Sequence, residues 1–210
     1  MMNKFSDLHL DVLKEIGNIG AGHAATSLSL LLDRKIEMHV PAVKVVDFDE
    51  MMNLAGGPEE RVVAIFLRIH GDAPGNMFFV LPPMQAGMFV KTMTGVVSCQ
   101  FTQPPYDDMA VSAMQELGNI LTGSYLTSLA DFTNMNLQPS VPALAIDMVG
   151  AVLSYGLLEL SQYSDQAIVI ETLLADEAGS TKDIRGHFFL LPDPGSYQKI
   201  FTSLGVNTHD

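Results

Sequence analysis

The chain repeats itself. Residues 11–42 lie on residues 112–143 without a gap, at an offset of 101, and eleven of the 32 paired positions are identical. Glu15, Gly17, Asn18 and Ile19 recur as Glu116, Gly118, Asn119 and Ile120, and Gly22 recurs as Gly123. Thr26-Ser27-Leu28 returns as Thr127-Ser128-Leu129, and Val40-Pro41-Ala42 as Val141-Pro142-Ala143. A weaker echo at a shift of 110 relates Phe78-Phe79-Val80-Leu81-Pro82 to Phe188-Phe189-Leu190-Leu191-Pro192. A repeat this long demands that each copy fold as the same unit, and that the two units share a core.

Both copies read alike. A helix (Leu8 to Leu32; Asp108 to Asp131) is followed by an extended run into Val-Pro-Ala. Two strands come next: Val62 to His70 and Asn76 to Leu81 in the first half, Ala167 to Ala175 and Gly186 to Leu191 in the second. They are rich in β-branched and aromatic residues and are separated by Gly, Asp and Ser turns. A closing helix ends each half, Pro83 to Thr94 and Ser196 to Leu204. The expected fold is α/β (α+β) with internal pseudo-two-fold duplication: a largely antiparallel sheet with two long motif-bearing helices. We expect a single domain over 1–210, with halves at about 8–95 and 108–206 joined through the Gly- and Pro-punctuated stretch Thr94 to Pro105. Ala143 to Gln162 reads as an apolar helix present only in the second half.

Composition narrows the function. A formal charge of −13 repels nucleic acid, and no Lys/Arg stripe offsets it. No apolar run reaches the roughly 20 residues that span a bilayer, and no signal-peptide core stands at the N-terminus. One cysteine, Cys99, offers no internal disulfide and no thiolate cluster, and reads as a small buried or loop side chain. A cytoplasmic location is expected.

The repeated helix carries the candidate chemistry. Asp11, Glu15 and Asn18 fall within about 60° of one another at helical spacing, and Ser112, Glu116 and Asn119 repeat the pattern. Val12, Ile16 and Ile19 form the adjoining stripe and should face the core. Asn cannot act as a general base, but its amide can hold a water, and a held water can attack a phosphoryl group in line. A lone Glu would repel that phosphoryl, so it suits an anchor paired to a partner's cation. No Gly-rich loop with Lys-Ser/Thr is present to bind a nucleotide. Spacing alone leaves an alternative open, in which Asp11 and Ser112 are helix N-caps and the rest is solvated surface. The glycines that follow, Gly17, Gly20 and Gly22, with Gly118 and Gly123, each cost a helix interior roughly 1 kcal/mol. Tight helix packing and close approach by a partner explain them equally well.

The doubled pattern Asp/Ser-x3-Glu-x2-Asn-x22-Pro, formed by Asp11, Glu15, Asn18 and Pro41 and by Ser112, Glu116, Asn119 and Pro142, resembles the signature of the CheC/CheX/FliY family of CheY-phosphate phosphatases. The phrases Glu15-Ile16-Gly17-Asn18-Ile19-Gly20-Ala21-Gly22 and Glu116-Leu117-Gly118-Asn119-Ile120-Leu121 place the resemblance nearest the CheC branch. It implies a CheC-like fold and hydrolysis of the aspartyl phosphate of a CheY-like response regulator. Glu15 and Glu116 would pair with a lysine of the receiver, and Asn18 and Asn119 would orient the attacking water. The Mg2+ would belong to CheY, so no cofactor or metal of the protein's own is expected. The resemblance also implies binding of the deamidase CheD, through a segment beginning at Asp147 and including Met148, Val149 and Val152. A non-catalytic CheD-binding adaptor or flagellar-switch interaction protein is the alternative. Gly20 and Ala21 are replaced by Leu121 and Thr122, which suggests that the two sites present different surfaces. Two copies in one chain make a monomer sufficient.

Overall fold

A computed structural model describes residues 7–95, 101–160, 166–176 and 184–205. Cys99 and Gln162 lie outside the described residues. The first half contains α1 (Asp7–Leu32), β1 (Ile36–His39), β2 (Val43–Asp47), α2 (Phe48–Leu54), β3 (Arg61–Gly71), β4 (Gly75–Leu81) and α3 (Pro83–Thr94). The second contains α4 (Asp108–Thr133), β5 (Leu137–Pro139), β6 (Ala143–Met148), α5 (Val149–Leu160), β7 (Gln166–Asp176), β8 (Ile184–Pro192) and α6 (Ser196–Ser203). The expected motif helices, long strands and closing helices are all present, with bounds shifted by a residue or two at several ends.

One segment differs from expectation. Ala143–Met148 is a strand, and helix begins only at Val149. Nor is the segment unique to the second half. At the repeat offset, β6 is the counterpart of β2, and α5 that of the short α2. Helix α2 escaped the reading because Phe48–Leu54 gives too few turns for a hydrophobic period to show. It is capped by the Asp47 side chain, which accepts from the Glu50 N–H.

The eight strands form one antiparallel sheet in the order β1-β7-β8-β4-β3-β5, with β2 also on β7 and β6 also on β3. The strands that follow each motif helix therefore pair with the long strand of the other half. Ile36 to His39 lie on Asp176 to Leu173, and Ala143 to Met148 lie on Phe66 to Arg61. At the centre β4 and β8 pair directly, with Phe78 opposite Phe189 and Phe79 opposite Phe188, so the pseudo-two-fold axis passes between them.

Alternation along the strands divides the interior in two. Ile65, Met77, Phe79, Ile170, Phe188 and Leu190 face α1, α4 and the terminal helices α3 and α6. Val62, Phe78, Val80, Val169, Phe189 and Leu191 face a smaller core capped by Met51 of α2 and by Val149, Val152 and Leu153 of α5. Every residue of β4 is buried, because helices cover both faces of the sheet centre. The outcome is three layers, with the long helices α1 and α4 side by side on the outside of one face.

Candidate functional site on the paired motif helices

The core face of α1 runs through Leu13, Ile16, Gly17, Gly20, Ala21, Ala24 and Leu28. Val12 and Ile19 are half-buried at its margins rather than within it. Asp11 and Glu15 are exposed, and Asn18 is half-buried. On α4 the core face includes Ala113, Met114, Leu117, Gly118 and Leu121, while Ser112, Glu116 and Asn119 are all exposed. Each polar triplet therefore lies at the solvent side of its helix. The N-cap reading of Asp11 and Ser112 is set aside. Helix α1 begins at Asp7, four residues earlier, and the cap of α4 is Asp107, whose carboxylate accepts from the Ala110 N–H at 3.0 Å.

The structure gives the distant proline of the motif a physical role. The Val40 N–H donates to Asn18 Oδ1 at 2.8 Å, across 22 positions of sequence. Pro41 follows Val40, and a residue before proline is pushed to extended backbone, which holds that N–H in place. The bond leaves the Asn18 amide NH2 directed away from it. Sequence reasoning paired the Asn with the Pro through their spacing but did not identify Val40 as the contact. The constant gap between Asn and Val-Pro was the available signal.

The second site lacks this tether. Val40 is 2% exposed whereas Val141 is 89% exposed. Among the described residues Asn119 accepts no such bond. The chain before Val141 is held instead by Ser140, whose N–H donates to Arg68 O at 2.8 Å and whose Oγ accepts from the Arg68 N–H at 3.0 Å. Pro41 is exposed and Pro142 half-buried.

The glycines fall into two classes. A Cβ on Gly17 would stand 3.3 Å from Val40 Cγ2, one on Gly20 3.1 Å from Tyr125 Cα, and one on Gly118 2.7 Å from Ile65 Cγ2. All three face packed neighbours: a Cβ would fit tightly against Val40 at Gly17, would crowd the helix crossing at Gly20, and has no room against the strand at Gly118. A Cβ on Gly22 or Gly123 would meet nothing within 4 Å. The replacements Gly20 to Leu121 and Ala21 to Thr122 do not alter the outer surface as expected, because all four residues are buried. Tyr125, at the helix crossing, bonds its hydroxyl to Thr172 Oγ1 at 3.2 Å. Burial pushes its phenol up to about 12, so it stays neutral and structural near pH 7.

Of the four residues expected on the CheD segment, Asp147 is exposed at the end of β6 and Met148 is half exposed. Val149 and Val152 are packed into the smaller core. Beside them lies an apolar hollow of about 400 Å³ lined by Phe66, Phe78, Ala143, Ala145, Asp147 and Val152, among others. Among the described residues no three His, Cys, Asp or Glu side chains gather to hold a metal ion, and no helix is long and apolar enough to cross a membrane.

Comparison with known proteins agrees with this arrangement. The CheC-like family model matches residues 8–45 and again residues 109–146, each span running from a motif helix through its Val-Pro-Ala turn. The chain is 45% identical over 207 residues to the CheY-P phosphatase CheC of Bacillus subtilis strain 168, covering 99% of each. The fold resembles that of Thermotoga maritima FliY with a TM-score of 0.73 at 22% identity, covering 98% of both chains. A chain of the CheX–CheY–BeF3–Mg2+ complex from Borrelia burgdorferi gives a TM-score of 0.50 at 14% identity, covering 83% of this chain and 96% of that one. Identity sustained over the full length, with the family's pattern met twice on two adjacent helices, means that this chain belongs to the CheC-like family.

Proposed function

We propose that the protein is a CheY-P phosphatase with two sites, one on each motif helix. The observation that carries this reading is that both carboxylate–amide pairs, Glu15 with Asn18 and Glu116 with Asn119, reach the solvent side of adjacent outer helices. A folded substrate can dock there, and the sites are not enclosed pockets for a small molecule. In the reaction a water attacks phosphorus, the bond from phosphorus to the aspartyl oxygen breaks, and inorganic phosphate and the free aspartate of CheY result. The receiver brings its own Mg2+, which neutralises phosphoryl charge. Glu15 and Glu116 dock against a receiver lysine by a charge-assisted hydrogen bond. Asn18 and Asn119 orient the water through their amides, saving the entropy of finding it. Asp11 and Ser112 stand one turn before each Glu at the rim of the contact.

The test is dephosphorylation of phosphorylated CheY. The variant Glu15→Ala, Asn18→Ala, Glu116→Ala, Asn119→Ala is expected to fold and to lose about 100-fold or more of the hydrolysis. Hydrolysis at the wild-type rate in that variant would remove these residues from the mechanism.

A second role, binding of CheD, is favoured by the exposed Asp147 and Met148 beside the apolar hollow on the opposite side of the sheet from the motif helices. Val149 and Val152 support that surface from within. Asp147→Lys should weaken CheD binding and leave hydrolysis intact; unchanged affinity would count against this surface. The protein works in the cytoplasm, where CheY is, and a single chain suffices for both sites.

A further inference from the structure

Gly22 and Gly123 have no structural reason to be glycine. Each lies inside a 26-residue helix, where glycine is unfavourable. Neither has positive φ, and a Cβ on either would meet open space. Yet both copies keep a glycine here, one turn beyond Asn18 and Asn119 and on the same face. At the other end of each triplet stands a second paired oddity. Leu8 is 60% exposed and its counterpart Met109 is 57% exposed, each one turn before Asp11 or Ser112. Leu8, Asp11, Glu15, Asn18 and Gly22 fall within about 80° of one another around the helix, and the same holds on α4.

We propose that each docking footprint for phosphorylated CheY runs the whole length of this stripe, from an apolar anchor at Leu8 or Met109 to a lowered helix surface at Gly22 or Gly123. This rests on the phosphatase reading above. The glycine lets the receiver's backbone approach the helix close enough for the neighbouring amide to enter the phosphoryl site. The apolar residue covers the opposite edge and excludes water from the carboxylate's contact. Continuity with the Glu–Asn pair, one helical turn on either side, commits the stripe to the same occupant. Gly17, Gly20 and Gly118 are set apart from it because each faces packed neighbours.

The proposal separates stability from activity. Gly22→Ala with Gly123→Ala should raise Tm, by about 2–4 °C per site, while lowering kcat/KM for CheY-P about threefold. Gly22→Gln with Gly123→Gln should keep the fold and lower kcat/KM about tenfold or more, mainly through KM. Leu8→Ser with Met109→Ser should raise KM without changing Tm. Unchanged kcat/KM in the two glycine variants, in an assay where the wild type is active and the fourfold Glu/Asn variant is not, overturns the extended footprint and leaves the function standing. A fall in Tm on Gly→Ala also overturns it, since the glycines would then be structural. A wild-type protein that does not hydrolyse CheY-P overturns the function itself, and this footprint with it.

Discussion

The two sites share a sequence pattern but differ in the placement of one valine. At the first, Val40 lies between α1 and the sheet, 3.3 Å from where a Gly17 Cβ would be, and its N–H holds Asn18. At the second, Val141 points to solvent, α4 sinks directly onto Ile65, and Asn119 stands exposed. The preceding residues explain the divergence. The β1 strand pairs with β7 through His39, whereas in the second copy Ser140 takes the place of His39 and spends both its N–H and its hydroxyl on Arg68. One Val-Pro-Ala phrase thus serves two purposes, as a tether in the first copy and as an exposed turn in the second.

The largest contrast is expected at the helix–sheet contact. Gly118→Ala would drive a methyl to 2.7 Å from Ile65 Cγ2, a branched carbon that cannot swing aside freely, and should cost about 1–3 kcal/mol. Gly17→Ala meets Val40 at 3.3 Å and gains helix propensity, so it should be near neutral. Equal losses in chemical denaturation would break the claim that α4 sits closer to the sheet.

Next comes the division of activity. An attacking water must aim a lone pair at phosphorus and give its hydrogens to acceptors. Among the described residues nothing donates to the carbonyl oxygen of Asn119, while that of Asn18 already accepts from Val40. Sharing or releasing that bond costs about 1 kcal/mol, roughly fivefold in rate. Glu116→Ala with Asn119→Ala should therefore remove most of the hydrolysis, and Glu15→Ala with Asn18→Ala the smaller part. The reverse order would mean that the tether preorganises the first amide for its task.

A similar but slightly smaller effect should appear in stability. Asn18→Ala strands the buried Val40 N–H and should destabilise by about 1 kcal/mol, whereas Asn119→Ala should stay within about 0.5 kcal/mol of wild type in thermal melts. The smallest contrast lies on the sheet. His187 occupies the position that Phe78 holds in the other half, and it stands opposite Glu171 as Phe78 stands opposite Phe66; Glu171 pairs with Lys44 at 2.9 Å. Burial, partly opposed by Glu171, holds the imidazole below its ordinary value. The unfolded chain then binds this proton more readily than the folded one, so stability should decline as pH falls through about 6.5. His187→Met should flatten that decline in Tm measured against pH.

Much was readable from the chain itself. The duplication gave the pseudosymmetry, the succession of strand, turn and strand gave the antiparallel sheet, and helical spacing placed Asp11, Glu15 and Asn18 on one face. These follow from local geometry, since a period of 3.6 or 2 fixes which side chains point together. Short elements were not readable: α2 carries too few residues to show a period, and β6 was hidden in an apolar run that suits strand or helix equally.

Tertiary structure alone settled the rest. The exchange of β1 and β2 onto β7, and of β5 and β6 onto β3, depends on pairings 66 to 140 residues apart that no local pattern encodes. The sorting of the glycines depends on what lies across from each one. The sequence by itself determined that there would be two Glu–Asn pairs on matching helices. Whether each amide is tied or free was decided by a valine packing inward or outward, because burial is a property of the assembled neighbours and not of the residue.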